Sequence, residues 1–88
     1  SLTCIVENIE KDKNSYHINV AIIVDRDALK RIVIGKQGSM IKEIGIRSRK
    51  ELEEFLGKKV YLETYVKTIK KWRDKEKYLQ EFGFNEFE

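Results

Sequence analysis

The chain has 88 residues, of which 41% are hydrophobic and 38% are charged, enough for one small domain but not for a second core. No apolar run approaches the roughly 18 residues of a membrane span, and no signal-peptide pattern is visible. The single cysteine, Cys4, forms no internal disulfide, which favours a reducing, cytosolic setting. Because Cys4 lies in an alternating segment, we expect it to be a small buried apolar group.

The first half of the chain predicts a hairpin followed by a short helix. Residues 2–10 and 16–24 have the Val and Ile content of strands, and the polar segment EKDKNS between them is typical of a turn. The segment DALKRIVI predicts a helix with Asp25 or Asp27 as its N-cap, and Gly35 ends it.

The second half predicts a long helix, a strand and a last short helix. The long helix runs from Ser39 to Phe55 or Leu56 and is stopped by Gly57. The strand occupies residues 59–69 and buries one face, and DKEKYLQEF predicts a helix capped by Asp74 and closed by Gly83. This order predicts an α+β fold, a three-stranded sheet with helices on one face. The apolar positions of the long helix recur at helical spacing and are Ile41, Ile44, Ser48, Leu52 and Phe55.

Positive charge is concentrated in the middle of the chain. Residues 1–34 carry five Lys/Arg and five Asp/Glu, residues 35–73 carry eleven against five, and residues 74–88 carry two against five. The balance is therefore zero, +6 and −3. A positive field confined to one part of a domain suits a polyanion, although a solvated face would have the same composition.

The positive segment begins at the loop GKQG, residues 35–38. The loop lacks the spacing of a P-loop and of a dinucleotide fingerprint. A G-x-x-G turn between two helices places free N–H groups and a helix dipole where phosphate binds. Lys36 would add a positive charge and Gln37 a neutral donor, above a shallow groove with a floor of Ile34, Met40, Ile41 and Ile44. Such a site suits single strands, whose bases are unstacked.

Simpler structural interpretations exist for each of these residues. The two loop glycines alone would equally make a plain turn. Gly45, inside the long helix, indicates a close approach by a neighbouring strand or by RNA, and we favour the strand. The helix cations can contact RNA or pair with Glu51, Glu53 and Glu54, and they are Lys42, Arg47, Arg49 and Lys50. His17 is expected to be an ordinary strand residue rather than a metal ligand, and Trp72 to pack rather than to stack a base.

The segment VIGKQGSMIKEIG resembles the signature of KH domains, whose G-x-x-G loop clamps about four nucleotides. A hairpin before the loop and one strand after the second helix resemble the type II arrangement, which implies a mixed sheet. From about Val20 to the end, and most specifically in GKKVYLETYVKTIKKWR and LQEFGF, the chain resembles the KH domain that ends a family of bacterial ribosome-assembly GTPases.

The resemblance implies that residues 1–88 form a single type II KH domain, with residues 74–88 as its C-terminal short helix and tail. The helix that precedes the first strand in the family is missing here, as is the GTPase domain. The implied ligand is single-stranded RNA, the 3′ end of 16S ribosomal RNA during small-subunit assembly, and not DNA. The implied RNA-binding residues are Ile34, Gly35, Lys36, Gln37, Gly38, Ser39, Met40, Ile41, Lys42, Ile44, Arg47, Arg49 and Lys50.

The resemblance further implies a cytoplasmic protein that contacts the small ribosomal subunit and its own GTPase domain, and it leaves open a peripheral association of the full-length protein with the inner membrane. The alternatives are a docking domain for a protein partner and a KH domain with another RNA target. No catalytic set, metal-ligand spacing or cofactor motif is visible, so we expect a binding module and not an enzyme.

Overall fold

The computed structural model describes residues 2–74, and these form three strands, two helices and two short 3₁₀ turns. Among them, no helix combines the length and the apolar character needed to cross a membrane. In chain order the elements are β1 (Leu2–Lys11), β2 (Ser15–Val24), α1 (Asp27–Ile34), a 3₁₀ turn (Lys36–Gly38), α2 (Ser39–Leu56), β3 (Lys59–Thr68) and a 3₁₀ turn (Trp72–Asp74).

The three strands form one mixed sheet in the order β1-β2-β3. The connection between β1 and β2 is short, and the Asp12 amide donates to the Ser15 carbonyl oxygen at 2.8 Å, which makes the pair antiparallel. β3 pairs with β2 in parallel, from Ser15 opposite Lys59 to Val24 opposite Thr68. A parallel pair requires a long crossover, and α1 and α2 provide it. The predicted α+β fold with a three-stranded mixed sheet is therefore confirmed.

Apolar side chains pack on both faces of the sheet, because β2 is the central strand and is buried on both sides. On the helix-covered face, Ile22 and Val24 pack with Val33 of α1 and Val66 of β3. On the opposite face a separate cluster is formed by Ile5, Ala21, Ile23 and Ile69, with Trp72 packed against it. The two faces match the alternation expected of a strand between two apolar layers.

The start of α1 differs from the prediction. Neither Asp25 nor Asp27 caps the helix, because Arg26 occupies the N-cap position and no side-chain hydrogen bond is made there. Asp27 is the first helical residue, where its negative charge is still favourable for the helix dipole. The Asp25 Oδ1 atom is buried without a hydrogen-bond donor and lies 3.7 Å from Arg26 Nε.

Cys4 was expected to be buried and Phe55 to lie on the apolar face of the long helix, and both are exposed. The reason is that α2 lies over β3, with Ile41 and Ile44 reaching the core cluster, and leaves the helix-facing side of β1 uncovered. The result is an apolar groove of about 450 Å³ between α2 and β1, lined by Cys4, Val6, Leu52 and Phe55 among others. Phe55 is 86% exposed at its rim. Partial desolvation in this groove raises the pKa of the Cys4 thiol, which makes it less nucleophilic.

The last predicted helix, with its closing residue Gly83, lies outside the described residues, as does the rest of the tail. Asp74, its expected N-cap, is the last residue of the second 3₁₀ turn, where its amide donates to the Lys71 carbonyl oxygen at 2.9 Å.

Candidate nucleic-acid interface

The loop between α1 and α2 is held in an unusual backbone conformation. Three of its four residues have positive φ, namely Gly35 at 75°, Gln37 at 55° and Gly38 at 77°. Positive φ is readily adopted by glycine and is uncommon for other residues. The two glycines are therefore required by the turn, and Gln37 is carried into the left-handed region between them.

The two glycines differ in what surrounds them. A Cβ atom on Gly35 would lie 2.7 Å from Met40 Cβ and 2.8 Å from the Met40 amide nitrogen, so the space there is already filled by the start of α2. A Cβ atom on Gly38 would meet nothing within 4 Å. At Gly35 the start of α2 fills the space that a side chain would need, whereas at Gly38 the surface of the helix N-terminus is open.

Two amide groups that the sequence analysis expected to be free are engaged inside the turn. The Gly38 amide donates to the Gly35 carbonyl oxygen at 3.2 Å, and the Ser39 amide donates to the Lys36 carbonyl oxygen. The expectation was wrong for these two because the turn closes on itself as a 3₁₀ helix. The open surface at Gly38, the helix dipole and the exposed Lys36 and Gln37 side chains remain available to a phosphate.

A second groove, with a volume of about 330 Å³, lies between α2 and β3 and begins in the first turn of α2. The residues that α2 contributes to this groove include polar and apolar side chains, and they lie on one stripe of the helix at the i, i+3, i+4 and i+7 spacing of a helix face. The lining residues are Ile41, Lys42, Gly45, Ile46, Arg49, Leu62 and Thr64. We call this the α2–β3 groove.

Gly45 faces β3, but strand packing does not require a glycine there. A Cβ atom on Gly45 would lie 3.9 Å from Thr64 Oγ1, which is an ordinary van der Waals distance. A methyl group would therefore fit against the strand and would occupy part of the α2–β3 groove. The preference for strand packing is not supported, and the absent side chain widens the groove instead.

The predicted floor residues separate into different surfaces. Ile41 lines the α2–β3 groove. Ile34 and Ile44 pack against the core under the helices, and Ile44 also lines the apolar groove on the β1 side. Met40 is 49% exposed, beside the Gly35 turn. Helical spacing shows which residues share a face, but it cannot show which of two flanking grooves that face borders.

Three groove residues were missed by the sequence analysis as site residues: Ile46, Leu62 and Thr64. The alternation of β3 correctly placed Leu62 and Thr64 on the face turned toward the helices. Their part in the groove depends on β3 being an edge strand beside α2, and local sequence contains no signal for that placement.

The cations of the loop and α2 fall into two groups. Arg47 Nε lies 3.0 Å from Glu43 Oε1, and Arg49 Nη1 lies 2.9 Å from Glu53 Oε1, both as i,i+4 pairs. Within residues 2–74, no ion pair involves the other three cations, which are exposed and are Lys36, Lys42 and Lys50. An exposed pair such as Arg47–Glu43 contributes little stability, so Arg47 and the three lysines remain available to a polyanion.

Glu53 has a second contact that the sequence did not reveal. Its Oε2 atom accepts a hydrogen bond from the Val60 amide at 3.0 Å, which links the end of α2 to the start of β3. This backbone hydrogen bond, and then the positive charge of Arg49, lower the pKa of the Glu53 carboxyl group. Glu53 therefore stays ionised while it holds the Arg49 guanidinium group.

The remaining aromatic candidates have structural contacts. The His17 ring stacks on Tyr61 with centroids 4.6 Å apart, and His17 Nε2 lies 3.5 Å from Asp12 Oδ2. In residues 2–74, no three His, Cys, Asp or Glu side chains are grouped closely enough to hold a metal ion. Trp72 packs against the Ile69 cluster, as expected for a packing residue.

A helix–G-x-x-G–helix turn beside a groove on a three-stranded mixed sheet defines a class of nucleic-acid-binding domain. The KH domain family model matches residues 2–73, and the chain belongs to this family. KH domains are binding modules and not catalytic ones.

Two solved structures of one KH-containing GTPase are similar to this chain, each with 44% sequence identity and a TM-score of 0.84. One is Era from Aquifex aeolicus, as a single-residue variant bound to GDP·AlF4⁻, and the other is Era in complex with MgGDPNP and nucleotides 1506–1542 of 16S ribosomal RNA. Each alignment covers 96% of this chain but only 29% of the Era chain. The resemblance to the KH domain of this GTPase is confirmed.

Proposed function

We propose that this domain binds single-stranded RNA, and that its target is the 3′ end of 16S ribosomal RNA during assembly of the small ribosomal subunit. The observation that carries the proposal is that the open Gly38 surface and the α2–β3 groove, which begins at Ile41 and Lys42, both lie at the start of α2. The Era structure that contains nucleotides 1506–1542 of 16S ribosomal RNA supports the choice of target.

The loop and the groove suit different parts of a single RNA strand. The loop presents Lys36 and Gln37 around an open backbone surface, which suits a sugar–phosphate chain. The groove has aliphatic side chains in its lining, and Gly45 has no side chain that would occupy it, which suits flat, unstacked bases. Duplex RNA would not fit this use, because its bases are stacked and paired.

The wider partners are also proposals. The chain spans 29% of the length of the Era chains it matches, so a GTPase domain of the same protein and the small ribosomal subunit are proposed partners. From the same match to Era we propose that the protein acts in the cytoplasm. Peripheral association of a full-length protein with the inner membrane stays an open alternative.

The test is a fluorescence-anisotropy titration of the 88-residue chain with a labelled single strand that copies the 16S 3′ end. A strand of the same composition in shuffled order is the control. We expect tighter binding to the native strand, and binding to both should weaken with salt because phosphates are neutralised. Equal affinity for the two strands would leave the RNA function intact and would remove the 16S assignment.

A docking function is the second candidate, and the apolar groove on the β1 side favours it. An 86% exposed Phe55 beside about 450 Å³ of apolar groove is typical of a protein contact. If the folded chain binds neither strand even at low salt, the docking function becomes the better explanation.

A further inference from the structure

We propose that Arg49 reads a base edge at the end of the α2–β3 groove remote from the loop, and that Glu53 is the positioning residue that holds its guanidinium group for this task. The proposal rests on the RNA-binding function above and adds a residue-level division of that site. It also gives Glu53, an acidic residue, a part in recognition of a polyanion.

The first argument concerns position. Arg49 lines the groove together with Lys42 and Ile46. Arg49 is ten positions after Ser39 in α2, which corresponds to about 15 Å along the helix. Arg49 is therefore too far from the loop to contact the phosphates held there, and it borders the groove in which we propose that the bases lie.

The second argument concerns orientation. An arginine side chain normally samples many rotamers, and ordering it on binding costs free energy. Here Arg49 Nη1 donates to Glu53 Oε1 at 2.9 Å, and Glu53 is itself fixed by the Val60 amide at 3.0 Å. The Arg49 side chain is only 38% exposed and that of Glu53 28%. The chain Val60–Glu53–Arg49 pre-organises the guanidinium group before RNA arrives.

The third argument concerns charge. A guanidinium group paired with a carboxylate attracts phosphate less than a free cation does. Its remaining N–H groups still form a planar fork that matches two acceptors on one base edge. The nearby Lys42 and the loop residue Lys36 have no ion pair within residues 2–74 and suit phosphates better. The structure thus separates a base-reading cation from phosphate-binding ones.

The experiment measures affinities for a panel of native 16S 3′ strands in which each base in turn is replaced by an abasic nucleotide. In the wild-type chain, one position should show a loss of about tenfold that depends on Arg49. In Arg49→Lys that loss should disappear while the salt dependence stays unchanged, because the charge is kept. Glu53→Gln should reduce the same loss by weakening binding to the strands that keep this base, and affinity for the strand that is abasic at this position should stay unchanged, since glutamine still accepts from the Val60 amide.

The pair Arg47 and Glu43 provides a matched control on the same helix. It has the same i,i+4 spacing and a 3.0 Å contact, but its side chains are 79% and 56% exposed and do not line the groove. Glu43→Gln removes the carboxylate of this pair and should reproduce the wild-type pattern at every position.

Each outcome bears on the proposal. An unchanged pattern in Arg49→Lys would overturn the base-reading role, and a wild-type pattern in Glu53→Gln alone would overturn the positioning role. A lower salt dependence in Arg49→Lys would also contradict the proposal. If the wild-type chain does not bind the native strand at all, the RNA function itself fails first, and this result is distinguishable from the others.

Discussion

The charge of the loop is the most direct test of how this domain holds RNA. The double variant Lys36→Asp with Gln37→Asp removes one positive charge and adds two negative charges beside the open Gly38 surface. Both side chains are exposed, and Gln37 has φ of 55°, a conformation that aspartate tolerates better than most residues. We therefore expect a change in the free energy of unfolding within about 0.5 kcal/mol.

The expected loss of affinity follows from the charges. Two unit charges about 4 Å apart in water interact by about 1 kcal/mol. One lost attraction and two new repulsions at the loop then weaken binding by about 3 kcal/mol, or on the order of a hundredfold. The slope of log affinity against log salt should also decrease in magnitude by about 0.7, because one phosphate contact to a single strand is lost.

A matched control is available in the turn between β1 and β2. Lys13→Asp with Asn14→Asp makes the same change in net charge at exposed positions. β3 begins opposite Ser15, so this turn lies near the end of α2, and the 18-residue helix separates it from the loop by about 27 Å.

Anisotropy titrations at several salt concentrations measure both variants, and circular dichroism melts verify that they fold. Equal losses in the loop variant and in the turn variant would refute a local clamp and would indicate a response to net charge alone. Retained affinity in a folded loop variant would refute the clamp outright.

Three further predictions test the glycines and the carboxylate of the site. Gly45→Ala should raise the free energy of unfolding by about 1 kcal/mol, because alanine favours the helix. It should also weaken RNA binding, because a methyl group enters the groove. Denaturant unfolding and anisotropy measure the two effects, and unchanged affinity would contradict the binding of RNA in the α2–β3 groove. Gly35→Ala should lower the free energy of unfolding by more than about 2 kcal/mol, since its φ of 75° and ψ of 175° suit glycine alone and Met40 fills the space for a side chain. Gly38→Ala should lower it by only about 1 kcal/mol, because the space beside Gly38 is open. Equal losses of stability in urea unfolding would contradict this difference in surroundings. The lowered pKa of Glu53 means that its ionised form stabilises the fold above the ordinary pKa of 4.5, and this contribution is lost as the pH falls through the pKa of the folded state. The decrease in Tm caused by Glu53→Gln should therefore be largest at neutral pH and smaller in acid. A decrease in Tm that does not change with pH would exclude an ionic contribution.

The order and type of the described elements were predictable because each has a strong local signal. Val and Ile content defined the first two strands and alternation the third, and the glycines at residues 35 and 57 ended the helices within a residue of their predicted ends. The loop was predictable for the same reason, since only glycine readily adopts the conformations found at Gly35 and Gly38. Helix capping was not, because whether Asp25 or its neighbour takes the N-cap position depends on how the chain leaves β2.

What the sequence determined by itself was therefore the set of local structures, the family resemblance and the position of the positively charged loop. Only the tertiary structure decided which side of α2 faces β3, and hence that Ile41 lines the α2–β3 groove while Ile44 lines the groove on the β1 side. It also decided that Phe55 is exposed and that Glu53 links Arg49 to the Val60 amide. The physical reason is that local propensity depends on neighbours along the chain, whereas grooves, burial and ion-pair partners depend on contacts between residues far apart in sequence.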